Sequence, residues 1–242
     1  MALKYKFKEP LIEGLILARP NRFLMDVRIN KKVYRCHCPS TGRIGRVVFE
    51  NVPCLLSKAT NKERKTPYTV EAISLDAVAK KSKKWIGINQ MRMNDYVKFF
   101  LENNLFPKMI KGEQIQREKK LGNSRIDFLV DEDYLEVKMP LITLPEGDGE
   151  KKAPHSKFDS FDRLIKHFQD LTKSLKEGTK AIVLLTYMYP AKPFERPKKD
   201  KTNSKILKVA NEAQSKGVEN WQANFKIDRI GVTLIKYFKL NL

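Results

Sequence analysis

The chain is poor in cysteine and has no long apolar segment, and each absence excludes a class of protein. No apolar run approaches the roughly 20 residues that a membrane-spanning helix needs. The first residues, MALKYKFK, lack the apolar core of a signal peptide. Three cysteines without an export signal predict free thiols in a reducing compartment. We therefore expect a cytoplasmic protein that does not associate with membranes.

The few cysteines also fail to form a zinc-site pattern. Cys36-His37-Cys38, with Cys54 further along, invites a metal interpretation. Successive side chains of a strand alternate between its two faces, so His37 would point away from both neighbouring cysteines. No second Cys/His pair at zinc-site spacing follows. The sequence therefore predicts small buried thiols.

Acidic residues are scarce relative to basic ones. The 48 Lys and Arg residues against 28 Asp and Glu residues give a formal net charge of +20 and a pI of about 9.8. Such an excess indicates a polyanionic partner, of which nucleic acid is the commonest. Lysine greatly outnumbers arginine, which favours phosphate contact over base reading. The alternative explanation of the positive charge is that it keeps the protein soluble or adapts it to a salty or hot habitat.

The first part of the chain, residues 1–88, has the pattern of a small β-barrel. With turns at Pro20-Asn21 and 30–32, it is predicted to form short strands at 11–18, 23–29, 33–38, 54–58, 68–75 and 84–88. Such a run of short strands is compatible with an OB-like barrel.

OB barrels often hold nucleic acid strands with basic and aromatic side chains. The side chains that could do so here are Arg22, Phe23, Arg35, Arg64, Lys65 and Tyr68. In the simpler alternative, the aromatic rings belong to the core and the basic groups are only solvated.

The second part, residues 89–242, reads as helix, hairpin, helix, strand, helix and strand, with an edge strand in the tail. The predicted elements are a helix at 89–101, a hairpin within 117–138, a helix at 159–175, a buried strand at 180–189, a helix at 204–216, a strand at 218–223 and the tail 225–242. A mobile loop at 143–157 should cover the site. The fold class is therefore a two-domain α+β or α/β protein: a barrel followed by a mixed sheet flanked by helices.

The hairpin is predicted to bring two carboxylates and an ammonium together. Alternation sets Glu136 and Lys138 side by side, and a hairpin partner would bring Asp127 near them. Carboxylate oxygens suit a hard cation such as Mg²⁺, and a lysine beside them can orient a phosphate or an attacking water. The spacing Asp-x8-Glu-x-Lys is the pattern of the PD-(D/E)xK nuclease superfamily. In so charged a chain, the solvated face of an edge strand is the alternative.

Two specific motifs and several weaker ones follow one another along the chain. The specific ones are Gly122-Asn123-Ser124-Arg125-Ile126-Asp127-Phe128, preceded by Arg117-Glu118, and Leu135-Glu136-Val137-Lys138. The weaker ones are Cys38-Pro39-Ser40-Thr41-Gly42, Arg64-Lys65 with Tyr68 and Glu71, Ile86-Gly87-Ile88-Asn89 with Asn94, and Lys216-Gly217-Val218-Glu219. With these motifs in this order, the sequence resembles the sugar fermentation stimulation protein A (SfsA) family over most of its length.

The resemblance implies an N-terminal OB-like domain, a C-terminal PD-(D/E)xK restriction-endonuclease-like domain and DNA binding, with an older proposal of a role in maltose metabolism. The active-site set that it carries over is Glu118, Asp127, Glu136 and Lys138. The sequence departs from the family pattern in two places. The TERGxKH-like helix of the family corresponds to 161–167, where its Thr and Gly positions are not kept, and the FPDA-type loop of the family is poorly matched by 153–159.

Three functions stay open at this point. In the first, a metal-dependent nuclease acts on single- or double-stranded DNA: Asp127 and Glu136 bind Mg²⁺ or Mn²⁺, Glu118 assists the metal or water, and Lys138 positions the nucleophile. The scissile phosphate would be held by Arg125 and Arg163 together with Lys166 or His167. In the second, the same scaffold is a DNA-binding regulator that does not cleave, and in the third it acts on RNA. The oligomeric state is left open, a homodimer included.

Overall fold

The computed structural model describes residues 2–61, 63–142, 144–145, 162–201 and 203–242. Its first part contains β1 (Lys4–Lys6), β2 (Ile12–Asn21), β3 (Leu24–Ile29), β4 (Lys32–His37), β5 (Val52–Lys58), β6 (Tyr68–Ile73) and β7 (Ile86–Gly87). Its second part contains α1 (Met93–Glu102), β8 (Ile115–Leu121), β9 (Ser124–Val130), β10 (Asp133–Lys138), α2 (Asp162–Ser174), β11 (Ala181–Tyr187), α3 (Ser204–Ser215), β12 (Glu219–Ile227) and β13 (Gly231–Lys239). The loop predicted at 143–157 lies outside the described residues except for Leu144 and Pro145, as do 153–161.

The first sheet closes into a five-stranded barrel. The strand order of the sheet is β4-β3-β2-β5-β6-β7. A parallel pairing of His37 in β4 with Thr69 in β6 closes the first five of these strands into the barrel, and β7 pairs with β6 beside it. This is the strand arrangement of an OB-like barrel, and closure leaves few free edges. The barrel half of the predicted fold class is therefore confirmed.

One predicted turn in the barrel is wrong. Pro20 and Asn21 lie within β2, and the chain reverses at Arg22 and Phe23. The β2–β3 register shifts on both sides of Ala18, and such irregular stretches tolerate a proline without an N–H group. The proline therefore marks a distorted strand end and not the turn itself.

The second sheet is mixed and has the order β1-β13-β12-β11-β10-β9-β8. The central strands β10, β11 and β12 are parallel, and the outer pairs are antiparallel. Helices α2 and α3 pack on each other and enclose a small apolar cluster that includes Ile126, Leu171 and Val183. A barrel followed by a mixed sheet with few helices confirms the two-domain α+β class.

The strand predictions for the second sheet are wrong in two places. Strand β8 was not predicted as a separate strand, because its sequence IQREKKL is mostly charged. An edge strand with exposed charged side chains has this composition, since charges discourage pairing with other chains. The tail forms β13, but β13 is not an edge strand, because β1 pairs along its outer side.

The two sheets share one apolar core. Buried residues from both, such as Ile16 and Ile73 in the barrel and Phe100 and Phe225 beyond it, belong to a single cluster. Backbone hydrogen bonds also cross the junction, including one from the Leu11 N–H to the Arg229 carbonyl at 2.7 Å. Lys4–Lys6, which the predicted boundary assigns to the first domain, pair with β13 of the second sheet.

The three thiols lie where the sequence predicts them, inside the barrel. Cys36, Cys38 and Cys54 are fully buried and unpaired. Burial and then the charge of Asp26 raise the pKa of Cys36 to about 12, so its thiol stays protonated. No helix in the described part of the chain is long and apolar enough to cross a membrane.

The β1–β13 pairing depends on a position where only glycine fits. A Cβ atom on Gly231 would lie 2.0 Å from the Tyr5 carbonyl oxygen of β1. We expect Gly231→Ala to lower the free energy of unfolding by about 1–3 kcal/mol, since β1 or β13 must shift. Gly42→Ala is the matched control, because nothing lies within 4 Å of its built Cβ, and it should change stability by less than about 0.5 kcal/mol. Urea unfolding of both variants tests this, and equal midpoints would contradict it.

Candidate active site

The two predicted carboxylates lie where strands β9 and β10 separate. The β9–β10 ladder runs from the Val130–Asp133 pair to the Phe128–Leu135 pair and ends there. Beyond it, side chains accept the backbone bonds: the Val137 N–H donates to Asp127 Oδ2 at 2.8 Å, and the Asp127 N–H donates to Glu136 Oε2 at 3.4 Å. Because β8 and β11 still hold the outer sides of the two strands, the carboxylates occupy a gap in a continuous sheet.

Two cationic or hydrogen-bonding groups fix Glu136 in this gap. Its side chain is only 1% exposed. Lys138 Nζ donates to Glu136 Oε1, and His167 Nδ1 of α2 lies 2.5 Å from the same oxygen. Burial alone would raise the pKa of Glu136, but the hydrogen bonds from His167 and Lys138 outweigh it and hold this pKa below its ordinary value. Glu136 is therefore an anion that the fold stabilises.

Asp127 has the opposite electrostatic environment. Its Oδ1 accepts a hydrogen bond from Asn94 Nδ2 of α1 at 2.7 Å, and its Oδ2 accepts the Val137 N–H. Burial first, and the nearby charge of Glu136 second, raise the pKa of Asp127, and the hydrogen bonds offset this only in part. The ionised form of Asp127 is thus held close to a second negative charge, which a bound cation would offset.

The donor set fits a hard divalent cation that keeps several of its water ligands. Among the described residues, no group of three or more His, Cys, Asp and Glu side chains is arranged to hold a metal ion. Asp127 and Glu136 are two carboxylates, and Mg²⁺ is commonly bound by one or two carboxylates together with waters and substrate phosphate. The pair is therefore suited to such an ion only with water or phosphate completing its coordination.

The remaining predicted residues of the second domain lie around this pair in different settings. Glu118 is exposed on β8 with a φ of 55°, a backbone conformation that non-glycine residues rarely adopt. The pairs on either side of it, Arg117–Phe128 and Lys119–Ile126, put its backbone opposite Asp127. Within the part of the chain that the structure describes, the Glu118 side chain forms no hydrogen bond or ion pair. Its predicted role stays a prediction.

The basic residues predicted to hold phosphate separate into an exposed group and a buried histidine. Arg125 is exposed two positions before Asp127 on β9, and Arg163 and Lys166 are exposed on α2. His167 is only 4% exposed, and its contact is with Glu136 and not with the surface. The structure thus gives His167 a carboxylate partner where the sequence suggested a phosphate contact.

The basic and aromatic residues predicted in the barrel also differ from one another. Arg22 lies 4.7 Å over the ring of Phe23, which is 45% exposed, so this pair offers a surface for stacking. Arg35 is exposed but forms two hydrogen bonds to Asp26, at 2.8 and 3.1 Å. The Tyr68 ring packs edge-on against Tyr34 at 5.2 Å.

Arg64 and Lys65 follow one another in the loop between β5 and β6. Arg64 is partly buried and Lys65 is exposed. Burial first, and the charge of Arg64 second, lower the pKa of His37. Arg64 therefore lies near the end of β4, on the rim of the barrel.

A cleft of about 520 Å³ beside the barrel was not predicted from the sequence. It lies between β2 and the loop that precedes β5, and its walls include Arg19, Arg43 and Phe49. The Arg19 guanidinium lies 5.5 Å from the Phe49 ring centroid and donates to the Ser40 carbonyl at 2.7 Å. The available signal was the segment 43–49, which contains two arginines and ends in Phe49, but this segment has no strand or helix periodicity.

Comparisons with known proteins agree with this architecture. Residues 17–88 match the sequence model described as "SfsA N-terminal OB domain", and residues 91–231 match "Sugar fermentation stimulation protein RE domain". A sugar fermentation stimulation protein homolog of Synechococcus is 31% identical over 94% of this chain and 92% of its own, and one of Clostridium perfringens is 30% identical over 98% and 100%. The solved structure of Pyrococcus furiosus SfsA in complex with Ca²⁺ is similar over 100% of both chains, with a TM-score of 0.77 at 23% identity, which supports the fold.

The two carboxylates should affect stability in opposite directions. The penalty for ionising Asp127 is absent below pH 3.8, its ordinary pKa, and develops as the pH rises through its raised pKa. Asp127→Asn removes this penalty, but its amide has one oxygen for the two N–H donors that Asp127 accepts. We therefore expect Asp127→Asn to cost less stability at pH 7 than Glu136→Gln does. The stabilisation from Glu136 is present above pH 4.5 and lost as the pH falls through its lowered pKa. Glu136→Gln should cost about 3 kcal/mol at pH 7, because His167 and Lys138 lose their anion.

Urea unfolding at pH 7 and at pH 3, which lies below the ordinary pKa of both carboxylates, measures both effects. Glu132→Gln, at an exposed carboxylate in the turn of the same hairpin, should match wild type at both pH values. A loss of stability in Asp127→Asn at pH 7 that equals or exceeds the loss in Glu136→Gln would show that the two carboxylates do not have the opposite environments described above.

Proposed function

The chain belongs to the sugar fermentation stimulation protein (SfsA) family, and on that premise we propose that it binds DNA and cleaves its phosphodiester bonds with the help of a divalent cation. The observation that carries this proposal is the pair of carboxylates held in the β9–β10 gap beside Lys138. Fixed acidic oxygens next to a lysine are what cation-assisted hydrolysis of a phosphodiester requires.

The two carboxylates and the two groups that contact Glu136 have different roles in this proposal. Asp127 and Glu136 would hold Mg²⁺ or Mn²⁺, which when bound supplies Lewis-acid stabilisation of the phosphate and lowers the pKa of its bound water. His167 and Lys138 keep Glu136 ionised. Lys138, which is partly exposed, would orient the attacking water or the phosphate as a point charge. The Pyrococcus furiosus relative is described as a complex with Ca²⁺, another hard cation that takes oxygen ligands.

The nucleic acid would be held by both domains. The matched OB domain suggests nucleic-acid binding, and the Arg22–Phe23 pair offers a base-stacking surface with a positive charge. Near the carboxylates, Arg125, Arg163 and Lys166 are exposed and could contact phosphates. The net charge of +20 supports binding to the phosphate backbone of DNA that does not depend on base sequence.

A specific observation favours a second candidate, a DNA-binding regulator that does not cleave. Glu136 Oε1 is already engaged by both Lys138 and His167, so a cation would have to share or displace these partners. If Lys138 and His167 keep Glu136 from binding a cation, the carboxylate pair has only a structural role, and DNA binding by the basic surface is the function. Cleavage and binding measured on the same samples separate the two candidates.

The experiment is a cleavage assay with plasmid DNA, single-stranded DNA and single-stranded RNA, in Mg²⁺ or Mn²⁺ against EDTA. We expect wild type to cut DNA only with the metal. Asp127→Asn and Lys138→Ala should each lower the rate by at least about 100-fold, while the Kd for DNA changes little because the basic surface remains.

Glu132→Gln serves as the matched carboxylate control and should cut like wild type. Tight DNA binding without cutting under either metal would support the regulator. Preferential cutting of RNA would change the substrate class and leave the proposed chemistry in place.

A further inference from the structure

A second buried carboxylate, Glu71, lies inside the barrel and outside the candidate active site. It lies within β6 and is 1% exposed. Ser57 Oγ of β5 donates to its Oε1 at 2.5 Å, and Asn89 Nδ2 donates to its Oε2 at 2.7 Å. Arg92 Nε lies 3.8 Å from Oε1. Since a buried carboxylate is costly unless several donors surround it, these groups are held in fixed positions around it.

Two of the partners of Glu71, Asn89 and Arg92, lie in the short segment that connects the two domains. Asn89 also accepts a hydrogen bond from the Met91 N–H at 3.1 Å, which caps a single 3-10 turn at Gln90–Arg92. Helix α1 follows directly at Met93. The direction in which α1 leaves the barrel is therefore set by the Asn89 side chain, which Glu71 fixes through a hydrogen bond.

The other end of the same segment contacts the candidate active site. Asn94, in the first turn of α1, donates to Asp127 Oδ1 at 2.7 Å. Gln90 Nε2 donates to the carbonyl of Met139, the residue after Lys138, at 2.8 Å. Asn89 and Asn94 are five positions apart, so one short segment, a capped 3-10 turn that continues into α1, joins Glu71 in the barrel to Asp127 in the sheet. We call residues 89–94 the junction segment.

We propose that Glu71 is a positioning residue for the active site, acting through Asn89 and the junction segment to set the place of Asn94 and hence of Asp127. Where the carboxylate pair holds a cation, which rests on the proposed function, this makes a residue of the barrel a determinant of cation affinity. Binding energy at the barrel and binding energy at the carboxylate pair are then linked through one segment.

The chain offers a matched pair of variants that separates positioning from simple stabilisation. Ser57 and Asn89 both donate to the Glu71 carboxylate, but only Asn89 belongs to the junction segment. Ser57→Ala removes one hydrogen bond to Glu71, whereas Asn89→Ala removes its hydrogen bond to Glu71 and also the one that it accepts from the Met91 N–H. Glu71→Ala, which leaves the cap on the Met91 N–H in place, is therefore measured beside them and should act like Asn89→Ala at the active site. If Glu71 only stabilises the barrel, the two variants should behave alike at the active site.

The first readout needs no metal and follows hydrogen exchange of the Val137 amide, whose acceptor is Asp127 Oδ2. Relative to the amide of Leu184 in β11, we expect Asn89→Ala and Asn94→Ala to speed Val137 exchange about tenfold by local opening. Ser57→Ala should leave the ratio unchanged. An equal increase in Ser57→Ala, or no increase in Asn89→Ala, would overturn the proposal.

The second readout is the affinity for Mn²⁺, measured by titration calorimetry without DNA. Removing a group that orients a metal ligand typically weakens binding 10- to 100-fold, so we expect Asn94→Ala to raise the Kd about tenfold and Asn89→Ala to raise it less. The double variant should bind no more weakly than Asn94→Ala alone, because Asn89 acts through Asn94. Additive losses would mean independent effects and would contradict the proposal. If wild type binds no Mn²⁺, the proposed cation site fails, and the Val137 exchange alone decides on the positioning role.

Discussion

The gap between β9 and β10 is the constraint on which the rest of the second domain depends. Every buried backbone N–H needs an acceptor, and where the ladder ends this acceptor is a carboxylate. Asp127 accepts the Val137 N–H, and Glu136 accepts the Asp127 N–H. The same oxygens therefore complete the sheet and form the candidate cation site. A strand pair that closed normally would leave these side chains no space between the strands.

The two helices next to the gap each hold one carboxylate. Asn94 of α1 bonds to Asp127, and His167 of α2 bonds to Glu136. The two helices have different neighbours, since α1 follows the barrel directly through the junction segment, whereas α2 packs on β8, β9, β11 and α3. A change at the barrel would therefore reach Asp127 before Glu136. This asymmetry is a physical route by which a bound strand could alter a cation site without touching it.

The sequence predicts the residues of the site better than their surroundings. A period of two was enough to bring Asp127, Glu136 and Lys138 together, because strand alternation is local. It gave no sign that the ladder would end at Phe128 and Leu135, since that depends on the different partners of β9 and β10. Strand β8 was missed because its charged sequence reflects an exposed edge and not a buried face. The contact between Asn94 and Asp127 joins residues 33 positions apart, and no local pattern predicts such a distance.

The pairing of β1 with β13 has a consequence for the order of folding. The two strands are separated by more than two hundred positions, with Lys4 opposite Thr233. During synthesis, β1 has no partner strand until β13 has been made, while the barrel between them in the sequence can close earlier. Bringing such distant segments together is slow, because the entropy of closing the loop is lost before the contact forms. The sheet that carries the carboxylates is therefore completed only when β13 pairs with β1.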